Sequence, residues 1–364
     1  MGERELEYVT KAFETNWIAP AGPHISSFEE KISQQVLNYS VAALSSGTAA
    51  IHLALILLGV VENDDVICSS FTFSASVNPI KYLGANPILI DSEKESWNMC
   101  PELLELAIKE RLVLNRKPKA IILVHLYGMP ANLDKIISIA NEYEIPVIED
   151  AAEALGSKYK NQPLGTFGFF GIYSFNGNKI ITTSGGGALL SKDKLMIEKA
   201  KYLATQARDN KPFYEHSNIG YNYRLSNVCA GIGIGQLEVL KKRVEQRRIV
   251  NAYYKNELSS IEEISFLEEE KDCYSNYWLT TILLDAKSTI APEDLRLHLD
   301  KDNIESRRLW KPMHLQPIFK DSISYTNGVA EDLFNRGLCL PSGSNMSNND
   351  LQRVISKIKE IYEA

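Results

Sequence analysis

The chain has 364 residues, of which 45% are hydrophobic and 23% are charged, and its formal net charge is −7. This length predicts one large domain with a smaller one, because a single hydrophobic core rarely grows to this size. A mildly acidic chain with no basic block argues against a nucleic-acid-binding surface. No apolar run is long enough to span a membrane, so we expect neither nucleic acid nor membrane as a partner.

The cysteines predict a reducing compartment. There are five of them, an odd number, and they lie far apart with no CxxC pair among them. A disulfide framework or a zinc site is therefore not expected, and we predict no bound metal. The N-terminus is charged and lacks a signal-peptide profile, which together with the cysteines predicts a cytoplasmic protein.

The apolar pattern alternates between β and α after two N-terminal helices. The first helix is expected over Glu5–Glu14 and the second over Phe28–Val36. Strands are then predicted at Asp65–Ser70, Pro87–Asp91, Ala120–Leu126, Pro146–Asp150, Gly171–Phe175 and Gly187–Leu190. Several strands are unbroken apolar runs, which indicates burial on both faces of the sheet. We therefore predict an α/β fold with a mixed, mostly parallel sheet that is wrapped by helices.

The C-terminal third has an α+β texture. One long helix is predicted from Val228 to Ser259, and the later elements are short. These are strands near Tyr277–Leu284, Ser306–Trp310 and Leu338–Leu340, a helix near Pro292–Leu299 and a final helix. We accordingly predict a large domain over residues 1–240 and a small C-terminal domain over residues 241–364.

A small-residue turn before an apolar helix is a candidate phosphate site. The run Ser45–Ala50 reads Ser-Ser-Gly-Thr-Ala-Ala. Free backbone N–H groups and hydroxyls at a helix N-terminus suit a phosphate, although the same residues also form ordinary helix caps.

A carboxylate ends one of the buried strands. Asp150 closes the strand Pro146–Asp150, and small residues follow it. Ligands of open α/β sheets gather at the carboxyl ends of strands, and a carboxylate there can hold a pyridinium nitrogen protonated. The alternative interpretation is a helix-capping aspartate.

Phe73, which follows the strand Asp65–Ser70, can stack on a flat ring or pack in the core.

Lys179 lies in the run Ser174–Lys179 (Ser-Phe-Asn-Gly-Asn-Lys), just before the triplet Gly185–Gly187. A lysine in a partly dry pocket can act as a Schiff-base amine, whereas most lysines are solvated surface charges. Dinucleotide and P-loop fingerprints are absent: Gly231–Gly235 lacks the G-x-G-x-x-G spacing, and no GK[ST] follows the glycine triplet.

The order of these features resembles the DegT/DnrJ/EryC1/StrS sugar aminotransferases, which have the fold of type I pyridoxal-phosphate enzymes. The resemblance covers nearly the whole chain. It is carried by Asn16–Gly22, Ser45–Ala50, Tyr82–Ala85 with Asp91, His125–Gly128, Glu149–Glu153, Ser174–Lys179, Gly220–Arg224 and Arg307–Pro317. The family's usual N-terminus begins a few residues earlier, so a short leading segment is expected to be missing here.

The resemblance implies a role for each matching residue of the cofactor site. Lys179 would form the Schiff base with pyridoxal 5'-phosphate and shuttle protons, and Asp150 would pair with the pyridine nitrogen. Phe73 would stack on the ring. Gly47, Thr48 and Ser174 would hold the phosphate.

The resemblance also implies a second subunit and a substrate pocket. Asn222 and Arg224 would reach across a homodimer with shared active sites, Asn222 to the cofactor phosphate and Arg224 to the carboxylate of the amino donor. His314 and Arg307 belong to the segment that lines the sugar-nucleotide pocket, and Ile18, in the segment Asn16–Gly22, is a further candidate substrate contact.

Glu153 departs from the pattern of many family members, which carry Gln or His near the phenolic oxygen of the cofactor. A carboxylate there would repel a phenolate unless one of the two is protonated or a donor lies between them. The Glu form resembles the branch that makes bacillosamine-type sugars, as do Arg308–Pro317 and Leu340–Gly343.

The sequence therefore predicts an aminotransferase that moves an amino group from glutamate to the C4 ketone of a UDP-linked 4-keto-6-deoxy-N-acetylhexosamine, for glycan assembly. Three alternatives stay open. The first is the same chemistry on a dTDP-, GDP- or 3-keto sugar, and the second is a non-catalytic sugar-nucleotide-binding homologue. The third, an NAD-dependent epimerase or dehydratase, lacks the dinucleotide fingerprint.

Overall fold

An eight-stranded sheet flanked by helices forms the centre of the protein in a computed structural model, which describes residues 1–363. In chain order the strands are β1 (Ser40–Leu44), β2 (Asp65–Ser69), β3 (Asn86–Ile90), β4 (Ala120–Val124), β5 (Val147–Asp150), β6 (Lys158–Tyr159), β7 (Gln162–Pro163), β8 (Phe170–Ser174), β9 (Gly187–Ser191), β10 (Ile264–Phe266), β11 (Cys273–Tyr274), β12 (Thr280–Leu284), β13 (Arg307–Arg308), β14 (Ile323–Tyr325) and β15 (Gly337–Leu340).

Twelve α-helices cover these sheets in the described part of the chain. They are α1 (Glu5–Glu14), α2 (Pro23–Gln35), α3 (Gly47–Leu57), α4 (Asn78–Tyr82), α5 (Pro101–Val113), α6 (Leu133–Glu142), α7 (Lys194–Ala204), α8 (Asn227–Glu238), α9 (Leu240–Glu257), α10 (Pro292–Asp300), α11 (Val329–Arg336) and α12 (Asn348–Glu363). Short 3-10 turns lie at Ser74–Ser76, Leu126–Gly128, Met313–Leu315 and Pro317–Phe319.

The large sheet is mostly parallel, as its apolar strands predict. Its order is β1-β9-β8-β5-β4-β2-β3-β14. The pairs from β8 through β14 are parallel, whereas β9 runs antiparallel to both of its neighbours, β1 and β8. The parallel strands therefore end at one edge, which is where the residues after each strand meet.

Both faces of this sheet are buried. Along β4, Ile121 and Leu123 belong to one hydrophobic cluster, whereas Ala120 and Ile122 belong to another. Successive side chains of a strand point to opposite faces, so the two clusters are the two sides of the sheet. The predicted α/β architecture is confirmed.

A second, antiparallel sheet of order β10-β12-β15-β13 packs against α9, α10 and α12 around its own apolar cluster. Helix α9 connects the two cores. Leu240 and Val244 pack in the core of the large sheet, whereas Val250 and Tyr254 pack in that of the small one. The predicted domain boundary between residues 240 and 241 falls at the start of this helix and stays a prediction.

Several elements differ from the sequence prediction. The helix predicted over Val228–Ser259 is two helices, because Val239 leaves helical geometry between α8 and α9. Six short strands were not predicted, namely β1, β6, β7, β10, β11 and β14. Strand β14, of which two of the three residues are exposed, joins the large sheet in parallel to β3. The other predicted strands are present, with ends that shift by a few residues.

Among the helices of residues 1–363, none is both long and apolar enough to cross a membrane.

Gly187 allows β9 to pass directly beneath the start of α3. A Cβ added there would lie 2.3 Å from the carbonyl carbon of Ser46 and 2.4 Å from the nitrogen of Gly47. We expect Gly187→Ala to reduce the free energy of unfolding by roughly 1–3 kcal/mol, the usual range for overpacking. Chemical denaturation of the unloaded protein measures this value.

The matched control is Gly185→Ala, where an added Cβ would meet no atom within 4 Å. An equal loss of stability in both variants would contradict the close approach.

Candidate active site

A cavity of about 330 Å³ opens where the strands of the large sheet end. Ser45 follows β1, and Val124, Asp150 and Ser174 are the last residues of β4, β5 and β8. The complete lining is Ser45, Ser46, Gly47, Thr48, Ile51, Thr72, Phe73, Ala75, Ser76, Val124, Asp150, Ala152, Glu153, Ser174, Asn176, Asn178, Lys179, Gly185, Gly186, Trp278 and Trp310. The topology thus assembles residues from distant parts of the chain.

One corner of the cavity has the features of a phosphate site. Helix α3 begins there at Gly47, and the side chain of Ser46 caps it by accepting a hydrogen bond from the N–H of Ala49 at 3.0 Å. The first-turn N–H groups of Gly47 and Thr48 have no partner within the helix and carry the positive end of its dipole. Ser174 adds a hydroxyl, and a Cβ on Gly47 would lie only 3.3 Å from its Cβ. This corner therefore suits a phosphate.

Asp150 presents a fixed carboxylate to the cavity. Its Oδ2 accepts a hydrogen bond from the hydroxyl of Ser76 at 2.7 Å, and its Oδ1 accepts one from the N–H of Ala152 at 3.1 Å. Ser76 is in turn 2.8 Å from the hydroxyl of Thr72. Because Asp150 is almost fully buried, these donors replace the water that an ionised carboxylate requires. The carboxylate can hold a proton on a heteroaromatic nitrogen.

Lys179 lies in a partly dry position. Its Nζ is 4.0 Å from the ring centroid of Trp278 and 3.4 Å from Oε1 of Glu153, and only 11% of its side chain is exposed. Trp278 also fixes the turn before the lysine, because its Nε1 donates a hydrogen bond to the carbonyl oxygen of Asn178 at 2.7 Å. The lysine is therefore held in place by a residue about a hundred positions away in sequence.

Glu153 is the buried partner of this lysine. Its Oε2 accepts a hydrogen bond from the backbone N–H of Tyr127 at 2.8 Å. Burial raises the pKa of Glu153 above its ordinary value; the positive charge of Lys179 and the N–H of Tyr127 oppose this shift without cancelling it. The carboxyl group can therefore take up a proton more readily than an exposed glutamate, which lessens the charge conflict that the sequence raised.

Three aromatic rings, Trp278, Tyr127 and Trp310, form what we call the aromatic wall. Tyr127 stacks on Trp278 with ring centroids 6.5 Å apart and on Trp310 with centroids 6.3 Å apart. Phe73 contacts Trp310 from the cavity side at 5.2 Å. The wall stands between the cofactor cavity and a neighbouring one.

This second cavity, of about 230 Å³, is lined by Tyr127, Asn178, Trp278, Leu279, Glu305, Ser306, Arg307, Arg308, Trp310, Cys339, Leu340, Pro341 and Ser342. It shares Asn178, Trp278 and Trp310 with the first cavity. The two cavities are therefore adjacent chambers that meet at the wall.

The structure brings most of the predicted cofactor residues together. Gly47, Thr48, Phe73, Asp150, Glu153, Ser174 and Lys179 all line the first cavity. Arg307 lines the second cavity, where its exposed side chain pairs with Glu305. His314 lines neither; its Nδ1 is 2.7 Å from the hydroxyl of Ser70, and burial lowers its pKa.

The remaining three predicted residues lie outside both cavities within one chain. Ile18 is 47% exposed, and Asn222 is exposed and accepts a hydrogen bond from Gln206. Arg224 is bound to the carboxylate of Glu29 and to the carbonyl oxygen of Ala43 in its own chain. The predicted contact of Arg224 with the carboxylate of the amino donor in a neighbouring subunit stays a prediction; within its own chain Glu29 is its counter-ion.

Sequence reasoning gave no role to four residues that shape the site: Thr72, Ser76, Tyr127 and Trp278. Tyr127 lies in a run that supported the family resemblance, and the hydroxyls follow the strand β2. No local sequence pattern predicts that Trp278 belongs to the site, since its contact with Lys179 depends on where the small sheet places it.

Replacing Glu153 with glutamine tests its raised pKa. A raised carboxyl pKa means that the folded protein resists deprotonation more than the unfolded chain does. The wild type should therefore lose stability relative to Glu153→Gln as the pH rises from about 4.5, the ordinary glutamate value, towards neutrality. Thermal unfolding midpoints of the unloaded proteins measure this difference.

The exposed Glu262, changed to glutamine, controls for the loss of one acidic group. A difference between wild type and Glu153→Gln that stays constant over this pH range would contradict the raised pKa.

Comparison with known proteins agrees with this geometry. A model of the DegT/DnrJ/EryC1/StrS aminotransferase family matches residues 1–359. EpsN of Bacillus subtilis (strain 168), assigned by its name to the pyridoxal phosphate-dependent aminotransferases, is 52% identical over 100% of this chain and 94% of its own length. A GDP-perosamine synthase of Escherichia coli O157:H7 is 38% identical over 99% of this chain and 96% of its own.

Among solved structures, a DegT DnrJ EryC1 StrS aminotransferase from Brucella abortus superposes with a TM-score of 0.92. It is 28% identical, and the match covers 99% of this chain and 96% of that one. The family suggested by the sequence is thus confirmed over nearly the whole length. The chain belongs to the DegT/DnrJ/EryC1/StrS aminotransferase family and is a pyridoxal phosphate-dependent sugar aminotransferase.

Proposed function

We propose that this enzyme transfers the amino group of glutamate to the C4 ketone of a UDP-linked 4-keto-6-deoxy-N-acetylhexosamine, as a cytoplasmic step of glycan assembly. The observation that carries the proposal is the second cavity, which opens beside Lys179 and the aromatic wall. A nucleotide sugar needs such a second chamber, because its reacting carbon must reach the lysine while its phosphates and base lie elsewhere. The five cysteines are unpaired thiols, in agreement with a reducing compartment.

The residues of the first cavity fit pyridoxal phosphate. The helix start at Gly47 and Thr48, together with Ser174, would hold the phosphate, Phe73 would cover the ring, and Asp150 would keep a proton on the ring nitrogen. When bound, the cofactor supplies an electron sink for the carbon that loses or gains a proton.

Lys179 would act as the acid–base group of both half-reactions. Its Nζ would remove a proton from the α-carbon of glutamate, which leaves as 2-oxoglutarate, and would later deliver a proton to C4 of the sugar. The pKa of Glu153 is raised above that of an exposed glutamate. Its carboxyl group would therefore be a hydrogen-bonding partner of that amine that can also carry a proton. The aromatic wall would exclude water from the reacting carbon.

Unpaired donors in the second cavity support an acceptor-rich ligand. Three residues of its lining carry a buried polar atom without a hydrogen-bond partner in residues 1–363: Oγ of Ser306, Nε of Arg308 and Nε1 of Trp310. Buried donors are rarely left unpaired in native proteins. A diphosphate or an acetamido carbonyl would supply the oxygen atoms that these groups lack, and the exposed Arg307 would add a cation at the rim.

The second candidate is a GDP-linked 4-keto sugar. It is favoured by the relative named GDP-perosamine synthase, which matches almost the entire chain at 38% identity. The cavity chemistry suits either nucleotide, since both carry the same diphosphate. The base and the acetamido group are what distinguish the two candidates.

A substrate panel separates the candidates. We expect faster turnover of UDP-4-keto-6-deoxy-N-acetylglucosamine than of the GDP- or dTDP-linked 4-keto-6-deoxyhexoses at equal concentration, with glutamate as donor and the product identified by mass spectrometry. Faster turnover of the GDP sugar would favour the second candidate and contradict the first.

Arg307→Ala, measured with the preferred sugar, tests the rim cation. The KM for sugar nucleotide should rise about tenfold or more while the KM for glutamate stays unchanged, because one charge-assisted hydrogen bond contributes roughly 1.5–3 kcal/mol. Lys320→Ala, an exposed cation of the neighbouring turn, is the matched control. Equal changes in both KM values would remove Arg307 from the acceptor site.

The proposal includes a homodimer in which Asn222 completes the neighbour's site. Asn222 is exposed, and Phe213, Tyr214 and Ile219, in the segment just before it, are exposed apolar groups. A symmetric pairing would bury such groups and make the two sites equivalent. Arg224, which Glu29 of its own chain holds in place, would reach the carboxylate of the amino donor in the neighbour's site.

Mixing two defective variants tests the shared site. Chains with Lys179→Ala and chains with Asn222→Ala should form hybrid dimers that contain one complete site, so activity per Lys179-bearing chain should rise on mixing. Subunit exchange is verified by native mass spectrometry, and mixing each variant with itself is the control. Exchange without any gain in activity would place Asn222 outside the neighbour's site.

A further inference from the structure

Tyr127 adopts an unusual backbone conformation beside the active site. It is buried in the short turn Leu126–Gly128 with φ of 53°, in the left-handed region that residues other than glycine seldom adopt. Such a conformation persists only where the surrounding contacts enforce it.

Two hydrogen bonds of Tyr127 face opposite sides of the aromatic wall. Its backbone N–H donates to Oε2 of Glu153, whose Oε1 contacts Lys179. Its phenolic oxygen accepts a hydrogen bond from the backbone N–H of Trp310 at 2.9 Å. One residue thus bonds both to the partner of the catalytic lysine and to the segment that lines the second cavity.

The ring of Tyr127 strengthens this link. It is the middle member of the wall, with Trp278 on one side and Trp310 on the other. Trp278 lies beneath the ammonium group of Lys179, and Trp310 lines both cavities. The tyrosine ring therefore lies between the residue that contacts the lysine and the residue that borders both cavities.

The phenol retains its proton at neutral pH. Burial raises the pKa of Tyr127 well above its ordinary value. The oxygen therefore acts towards Trp310 as a neutral acceptor, and the strength of that bond does not vary with pH near neutrality.

We propose that Tyr127 is a positioning residue for the sugar-nucleotide half of the reaction, through the hydrogen bond of its hydroxyl to the backbone of Trp310. The inference rests on the proposed function of the second cavity. The hydroxyl holds Trp310, which lines that cavity, whereas the backbone N–H serves Glu153. The side chain is thereby assigned to the sugar half-reaction, and the main chain to the partner of the lysine that acts in both half-reactions.

Tyr127→Phe separates these two contributions. The variant keeps the ring and the backbone N–H but removes the acceptor for Trp310. We expect the KM for the keto-sugar to rise about five- to tenfold, the effect of one buried neutral hydrogen bond. Formation of 2-oxoglutarate from glutamate in a single turnover should change much less, and this split is what a general loss of packing would not produce.

A binding measurement on the unloaded protein gives an independent readout. UDP and GDP are titrated against the tryptophan fluorescence of the wild type and of Tyr127→Phe, and the affinity for the better nucleotide should fall by a similar factor. Tyr39→Phe is the matched control, because it removes a buried hydroxyl that donates to the carbonyl of Thr166 and contacts neither cavity.

The outcomes distinguish the inference from the function on which it rests. A wild type that binds neither nucleotide and converts no keto-sugar would overturn the proposed function and the inference with it. A wild type that binds and converts them, with Tyr127→Phe equal to it or impaired equally in both half-reactions, would overturn the inference alone.

Discussion

The amine of Lys179, which is largely withdrawn from water, is the constraint on which the rest of this site depends. Removing an ammonium group from water is costly unless nearby groups compensate for it. Here the compensation is the face of Trp278 and the carboxyl group of Glu153. Neither group is adjacent to Lys179 in sequence, so the fold must supply both at the correct distance.

Each compensating group is itself held by a second layer of contacts. The backbone N–H of Trp278 donates to Oδ1 of Asn276, whose amide nitrogen in turn donates to the carbonyl oxygens of Glu153 and Leu155. The loop before β12 is thereby fastened to the segment after β5. The small sheet thus takes part in the site directly, and its position relative to the large sheet determines where the lysine can lie.

The sequence predicted the large sheet well, because apolar runs and strand-end residues are local signals. Seven of the residues that it assigned to the cofactor line the first cavity, since the order of motifs carried the family resemblance. The sequence did not predict the roles of Trp278 and the aromatic wall, because those roles arise from packing between distant segments of the chain. Arg224 shows the same limit: its partner Glu29 lies 195 residues away, and no local pattern predicts that salt bridge.

The run Glu149–Glu153 shows how the fold gives neighbouring carboxylates different properties. Glu149 is completely buried and accepts hydrogen bonds from the N–H groups of Gly165, Phe167 and Gly168, in addition to its contact with His125. With every oxygen satisfied, it has no capacity left for a ligand and ties the loop before β8 to β5. Asp150, one residue later, has two donors and an open side facing the cavity.

Glu153 has one backbone donor and the lysine. Glu149 is fully satisfied and structural, whereas Asp150 and Glu153 have two donors each. These two differ in the kind of donor, because both donors of Asp150 are neutral and one donor of Glu153 is the lysine amine. The sequence shows that all three residues are carboxylates, whereas their different sets of hydrogen-bond donors are visible only in the three-dimensional structure.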